Sequence, residues 1–236
     1  DPLDALAAPA ILNLFGGRFS ARAVKFSLDG ALGSRGAALL APYADEAGNS
    51  GLMQMTREDF KAACREALQK GYQAATHCIG DAANRLALDV YEEIFRESGR
   101  DPRDFRWRIE HAQIVALADS ARFARLHVIL AMQPVHATSD MKWAEERLGK
   151  ERLAGAYAGR KFRDAGCRIA GGSDFPVESE NPFHGIYAAM TRQDADGNPE
   201  GGWLPGERLT REEAFLAYTR WAAFAGVAGM LADNLM

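Results

Sequence analysis

The chain has 236 residues, 47% of them hydrophobic and 25% charged, with a formal net charge of −4. This is the composition of an ordinary soluble globular domain, and its length suits one large α/β domain. The acidic balance and the scattered Arg and Lys argue against nucleic acid as a main partner. No apolar run reaches membrane-spanning length.

In chain order, the pattern alternates short apolar runs with longer helical stretches. The run Ala23–Leu28 reads as a first strand, followed by a long Gly-rich connection, Ala31–Met53. Thr56 precedes Arg57-Glu58-Asp59 and predicts an N-cap with an acidic first turn, for a helix ending near Gly71. A second strand is expected at Gln73–His77. Asp81 is expected to cap a helix that carries Leu86, Val90, Tyr91, Ile94 and Phe95 and stops at Gly99. Further strands are expected at Trp107–His111, Val128–Met132 and Arg168–Gly171. These runs mostly lack a polar face, as strands of a parallel sheet do when both faces are buried. Asn181-Pro182 predicts another helix start, and Thr210 with Glu213 a capping box for a last helix through about Ala225. Strand–helix–strand repetition implies a parallel sheet with right-handed crossovers. It could be an open doubly wound sheet or part of an eight-stranded barrel.

Three widely separated cysteines, Cys64, Cys78 and Cys167, form no CxxC pair. Their odd number argues against a disulfide framework and favours a reducing, cytoplasmic setting. The opening DPLDALAAPA has no basic start and does not read as a signal peptide.

The chemistry lies at the strand ends. VKFSLDG carries Lys25 and Asp29, AATHCIGD carries His77, RIEHAQ carries His111, and IAGGSDFPV carries Asp174. In a parallel α/β fold these carboxyl ends converge on the face where ligands bind. An eightfold barrel uses roughly 31 residues per βα unit. His77 to His111 is 111 − 77 = 34 residues, one unit, and His111 to Asp174 is 174 − 111 = 63, two units. Two imidazoles and a carboxylate suit zinc or a similar divalent ion, which would activate a water.

The stretches VKFSLDGALGSRGA, THCIGD, RIEHAQ, QPVHATSDMKWAEERLG and GGSDFPVESENPFHGIYAAMTR resemble the amidohydrolase superfamily, in particular amidohydrolase family 3 with its N-substituted formamide deformylase-like enzymes. The resemblance implies a TIM (β/α)8 barrel of which this chain covers about strands four to eight. It implies a metal-dependent hydrolase of C–N bonds in amide or formamide-like small molecules. One or two divalent ions, zinc among the candidates, would be held by Lys25, His77, His111 and Asp174. Lys25 would act as a carbamate, because an ammonium has no lone pair to give; the alternative is an ion pair of Lys25 with Asp29. Asp174 would also be the catalytic proton acceptor, the alternative being a turn cap.

His136 is expected to touch substrate or support the ligands, or else to pack a loop. Asp29 and Arg35 are expected to orient Lys25 or the substrate, or to form an ordinary salt bridge. His184 and His127 read as structural. The family's HxH pair is absent from this sequence, so the N-terminal barrel part and the small β-sandwich domain are expected outside it. The missing barrel part is then the expected partner, beside a small-molecule substrate; a homo-oligomer is compatible with it. Two other readings stay open: a non-catalytic ligand-binding or regulatory barrel, and a metal-dependent esterase or phosphoesterase.

Overall fold

A computed structural model describes residues 8–226; residues 1–7, the start of the opening segment read above, and residues 227–236 lie outside the described residues. A small antiparallel hairpin comes first, β1 (Ile11–Asn13) and β2 (Phe19–Ala21), joined by the turn α1 (Leu14–Gly17). The body is a five-stranded parallel sheet of β3 (Ala23–Ser27), β4 (Gln73–Cys78), β5 (Arg108–His111), β6 (Ile129–Met132) and β7 (Ile169–Gly171). Strands neighbour one another in sequence order, so the sheet has none of the order reversals that mark a doubly wound fold. Each strand of this parallel sheet lies within a residue of its expected run; the hairpin strands had none.

The helices between the strands are α2 (Arg57–Gln69), α3 (Asp81–Ser98), α4 (Leu117–Arg125), α5 (Pro134–Asp140), α6 (Ala144–Leu148) and α7 (Gly159–Asp164). After β7 come α8 (Pro182–Thr191), α9 (Arg211–Tyr218) and α10 (Arg220–Ala225). Their starts follow local chemistry. The Thr56 hydroxyl accepts from the Asp59 amide, Asn181 from the Phe183 amide, and Thr210 and Glu213 form the reciprocal capping box.

Two expectations need correction. Asp81 is not the cap of α3: Gly80 holds that position without a side chain, and the Asp81 carboxylate instead accepts from Leu40 N at 2.8 Å, pinning the long connection. The last helix does not run unbroken to Ala225. It breaks at Thr219 (φ −127°, ψ −95°), where the hydroxyl donates to Phe215 O and Tyr218 turns aside to donate to Gly172 O.

One face of the sheet carries the main core. Val24 and Phe26 of β3 meet Phe60 of α2, and the Phe26 and Phe60 rings stand edge to face at 5.8 Å. Tyr91, Phe95, Phe105 and Trp107 continue the cluster as a run of ring contacts. Such buried aromatics dominate core energetics; cutting one to Ala costs about 3–5 kcal/mol. Cys64, Cys78 and Cys167 are buried free thiols, and no helix among the described residues is long and apolar enough to cross a membrane.

A candidate metal-ligand cluster at the strand ends

The parallel register decides which side chains share the face opposite this core. Lys25 pairs with Ala75 and Ser27 with His77, so Lys25 and His77 point the same way; His77 pairs with Glu110. Regular alternation would send the next residue, His111, into the core beside its partner Cys78. It does not go there. His111 has φ 74°, a left-handed conformation that a residue with a side chain adopts at a cost of about 1–3 kcal/mol. The break in alternation leaves the His111 ring 4.5 Å from His77, edge to face. From α5, His136 stacks on His111 at 5.9 Å. Three histidines from three consecutive βα units therefore meet at the carboxyl end of the sheet.

Their electrostatic setting keeps the three imidazoles neutral at pH 7. Burial, followed by repulsion from His111 and Lys25, lowers His77 to about 4, against a backbone hydrogen bond with Gly30. Burial lowers His136 to about 4 as well, and lowers His111. Nε2 of His77 and Nε2 of His136 are buried with no hydrogen-bond partner. The closest carboxylate to His77 Nε2, Asp29, is 3.6 Å away, beyond hydrogen-bond range. Buried orphan nitrogens of this kind call for a partner. A neutral imidazole with a free lone pair is the form a metal requires, so this donor set fits a divalent ion in kind. Among the described residues, however, no group of three or more His, Cys, Asp or Glu stands close enough to hold an ion alone.

Gln133, which the sequence reading passed over, completes the cluster. Its Oε1 lies 2.8 Å from His111 Nδ1, while its Nε2 reaches back to Ala131 O at 3.3 Å. With the amide nitrogen engaged behind it, Gln133 presents an acceptor, so His111 must donate from Nδ1 and keep its lone pair on Nε2. A hydrogen-bonding residue at the end of a strand that otherwise reads ILAM is the signal that could have marked it.

The remaining expected residues divide. Lys25 is exposed on the histidine face and adds positive potential at His77 and His111. Asp174 is exposed, with φ 57°, and acts electrostatically on all three histidines without joining them. Asp29 does not orient Lys25. It is buried, and its carboxylate accepts from the amides of Ala38 (2.9 Å), Ile79 (2.9 Å) and Gly80 (2.7 Å), tying the long connection to the start of α3. Burial pushes Asp29 up to about 6 although the three amides favour its charged form. Arg35 lies outside the cluster: it forks onto Asp45 at 3.1 and 2.8 Å and reaches Glu46 at 3.2 Å, so the ordinary salt bridge describes it.

The profile described as "Amidohydrolase family" matches residues 4–228. The chain belongs to the amidohydrolase family. This amidohydrolase chain is 37% identical over 203 residues to the Arabidopsis thaliana protein LONG AFTER FAR-RED 3, which covers 86% of the chain and 34% of that protein. It is 30% identical over 153 residues to an N-substituted formamide deformylase from Arthrobacter pascens, covering 63% of the chain and 27% of the relative. Among solved structures, an uncharacterized metal-dependent hydrolase from Pyrococcus furiosus superposes with a TM-score of 0.80 at 32% identity, covering 96% of the chain and 44% of that structure. The amidohydrolase chain thus spans about a third of the length of the curated relatives it matches.

Proposed function

We propose that this chain forms the carboxyl-side part of a (β/α)8 barrel in a metal-dependent hydrolase that cleaves C–N bonds of amide or formamide-like small molecules. The observation that carries the reading is the His77–His111 pair: two imidazoles, His111 buried and His77 half-buried, held neutral with ring centroids 4.5 Å apart at the carboxyl ends of adjacent strands. Sequential strand order supports the barrel, because an arc of such a barrel has this order and no switch point. Both outer strands, β3 and β7, are paired on one side only among the described residues. In the whole barrel, further strands would cover them.

His77 and His111 would hold the ion, Asp174 would approach it from the β7 loop, and Lys25 would join as a carbamate. A bound divalent ion supplies a water acidic enough to serve as nucleophile near neutral pH and a positive charge beside the developing oxyanion. The chain's own residues supply the rest. Gln133 holds His111 in the required tautomer, and the Asp174 carboxylate takes the proton from the attacking water and returns it to the leaving nitrogen. The test is made on the whole polypeptide, metal-loaded, against a panel of N-substituted formamides, amides, esters and phosphoesters. Turnover restricted to C–N substrates and lost in His77→Ala and His111→Ala supports the proposal. Ester- or phosphate-only turnover replaces the substrate class, and stoichiometric ligand binding without turnover favours a non-catalytic barrel.

A further inference from the structure

The short helix α5 leaves the sheet directly after β6 and carries one of the three clustered imidazoles. It has seven residues, and a helix this short has little stability of its own in water. Where α5 lies therefore depends on what grips its ends. Its start is held by Gln133, the N-cap residue, whose Oε1 meets His111. Its other end is held as well. Asp140, the last residue of α5, takes two donors on one carboxylate oxygen, Oδ2: Gln113 Nε2 at 2.9 Å and the Tyr157 hydroxyl. Gln113 Nε2 also lies 3.2 Å from the Tyr157 oxygen, so the three side chains close a ring.

Both grips reach the same stretch of chain. His111 ends β5, and Gln113 follows two residues later. His136 and Asp140 stand four residues apart in α5 and so share one face of it. One stacks on His111 while the other meets Gln113. The partners of Asp140 are themselves fixed. Tyr157 N donates to Gln113 O at 2.6 Å, Val115 N donates to Gly155 O at 3.0 Å, and the Tyr157 carbonyl accepts from the buried Arg192 at 3.2 Å. Burial pushes the Asp140 carboxyl up to about 6, although both donors favour its charged form. Because both donors go to one oxygen, the ring needs an acceptor there more than it needs a charge.

We propose that Asp140 is a positioning residue of the histidine cluster: its ring with Gln113 and Tyr157 latches the end of α5 and holds His136 against His111, where His136 binds substrate, a role that rests on the hydrolase reading of the site. Nε2 of His136 has no hydrogen-bond partner among the described residues, and a polar group of the substrate would supply one. Asp140 acts through the helix. Without the ring, α5 is gripped only at its Gln133 end, and the imidazole in its middle loses its fixed place over His111.

The experiment joins steady-state kinetics of the metal-loaded whole polypeptide, on whichever amide substrate is identified, to proton NMR of the metal-free protein. Asp140→Leu should raise KM by about tenfold with kcat little changed, as His136→Ala should, the scale of one lost hydrogen bond. The nuclear Overhauser contact between the His111 and His136 rings should disappear with it. Asp140→Asn, which keeps the acceptor oxygen, should restore both. Tyr157→Phe, which removes one donor and keeps the aromatic ring, should act in the same direction more weakly and gives a second variant if Asp140→Leu unfolds. In a His136→Ala background Asp140→Leu should change KM no further, because it acts only through that imidazole. A KM rise that persists in that background, an unchanged KM in His136→Ala, or a ring contact as strong in Asp140→Leu and Tyr157→Phe as in the parent overturns the proposal. If no amide substrate is turned over, the hydrolase reading fails, and the ring contact alone decides whether the latch exists.

Discussion

The loops that leave the two outer strands of the sheet make an instructive pair. Each begins just past a strand end, and each carries an aspartate. After β3, Asp29 is buried and each donor hydrogen-bonded to its carboxylate is a backbone amide; the segment beyond it is knitted by Leu39 N to Ser50 O, Tyr43 N to Asn49 O and Gln54 N to Leu28 O. After β7, Asp174 is exposed in a left-handed turn, and its carbonyl rather than its carboxylate is engaged, by Val177 N at 2.9 Å. The same residue type therefore does opposite work. A carboxylate surrounded by fixed amides is scaffold; the exposed Asp174, which acts on the imidazoles electrostatically and whose carboxylate has no hydrogen bond among the described residues, is the one proposed for chemistry.

The largest effect that tests this contrast is on stability. Asp29→Ala should cost about 4 kcal/mol or more, because each buried amide left without an acceptor costs about 1–3 kcal/mol. Urea unfolding measures it, and a loss below about 1 kcal/mol would show that the β3 loop does not depend on this carboxylate. Asp174→Asn should behave in reverse. Stability should stay within about 0.5 kcal/mol of the parent, while kcat on whichever amide substrate is identified falls by about 10²-fold or more. Undiminished turnover would remove Asp174 from its proposed role.

Gln133 lies between the two loops and sharpens the contrast further. Gln133→Ala should weaken divalent-metal affinity by about 10–100-fold, the usual effect of removing a residue that orients a histidine ligand. Ring-nitrogen NMR of the metal-free protein should show the His111 tautomer becoming mixed, and Gln133→Glu should restore it. An unchanged tautomer in Gln133→Ala contradicts the assignment.

The smallest effect concerns the helix behind the β7 loop. Thr210→Ala removes half of the α9 capping box and should cost about 1 kcal/mol, with amide exchange rising around Gly172–Asn181 and not around Asp29. Glu213, the other half, is lowered from 4.5 to about 2, chiefly by Arg160 and further by Thr210. A depressed carboxyl stabilises the fold fully above its unfolded value and loses that contribution as pH falls toward its folded one. The stability gap between the parent and Glu213→Gln should be constant above about pH 5 and close toward pH 2.

How much of this could be read from the sequence depends on where each feature gets its stability. The parallel strands were legible because a strand buried on both faces must be a short apolar run, and ATHC, RIEH and ILAM each end where a polar residue emerges. The hairpin over residues 11–21 was not. Its strands are exposed, and although Gly16-Gly17 is a turn signal, the turn also needs left-handed Asn13 and Phe15, of which Phe gives no signal. α5 hid behind Gln133-Pro134, where Pro serves as a first helical residue rather than a stop. In the cluster, His77, His111 and His136 were legible as types at strand ends. That His77 and His111 belong together was expected from the strand ends and the resemblance; the route was not legible, since alternation alone sends His111 into the core and only its positive φ brings it back. For Arg35 the ordinary salt bridge, one of the two alternatives, is what the structure holds, whereas the backbone amides that satisfy Asp29 were not legible, because sequence shows a charge beside a motif and not which groups already satisfy it.

The glycines flanking the β7 loop carry one more lesson. A Cβ at Gly171 would stand 2.6 Å from the Tyr218 ring and one at Gly185 would stand 1.7 Å from its hydroxyl oxygen, which donates to Gly172 O at 3.0 Å. The tyrosine is a peg, and the two glycines are its socket. For anyone redesigning this scaffold, the segment bearing Asp174 is therefore not a portable cassette. Swapping Gly172–Asn181 between homologues transfers its geometry only when the peg and both halves of the socket travel with it, and a library that varies the loop alone samples side chains on a hinge it has left unspecified.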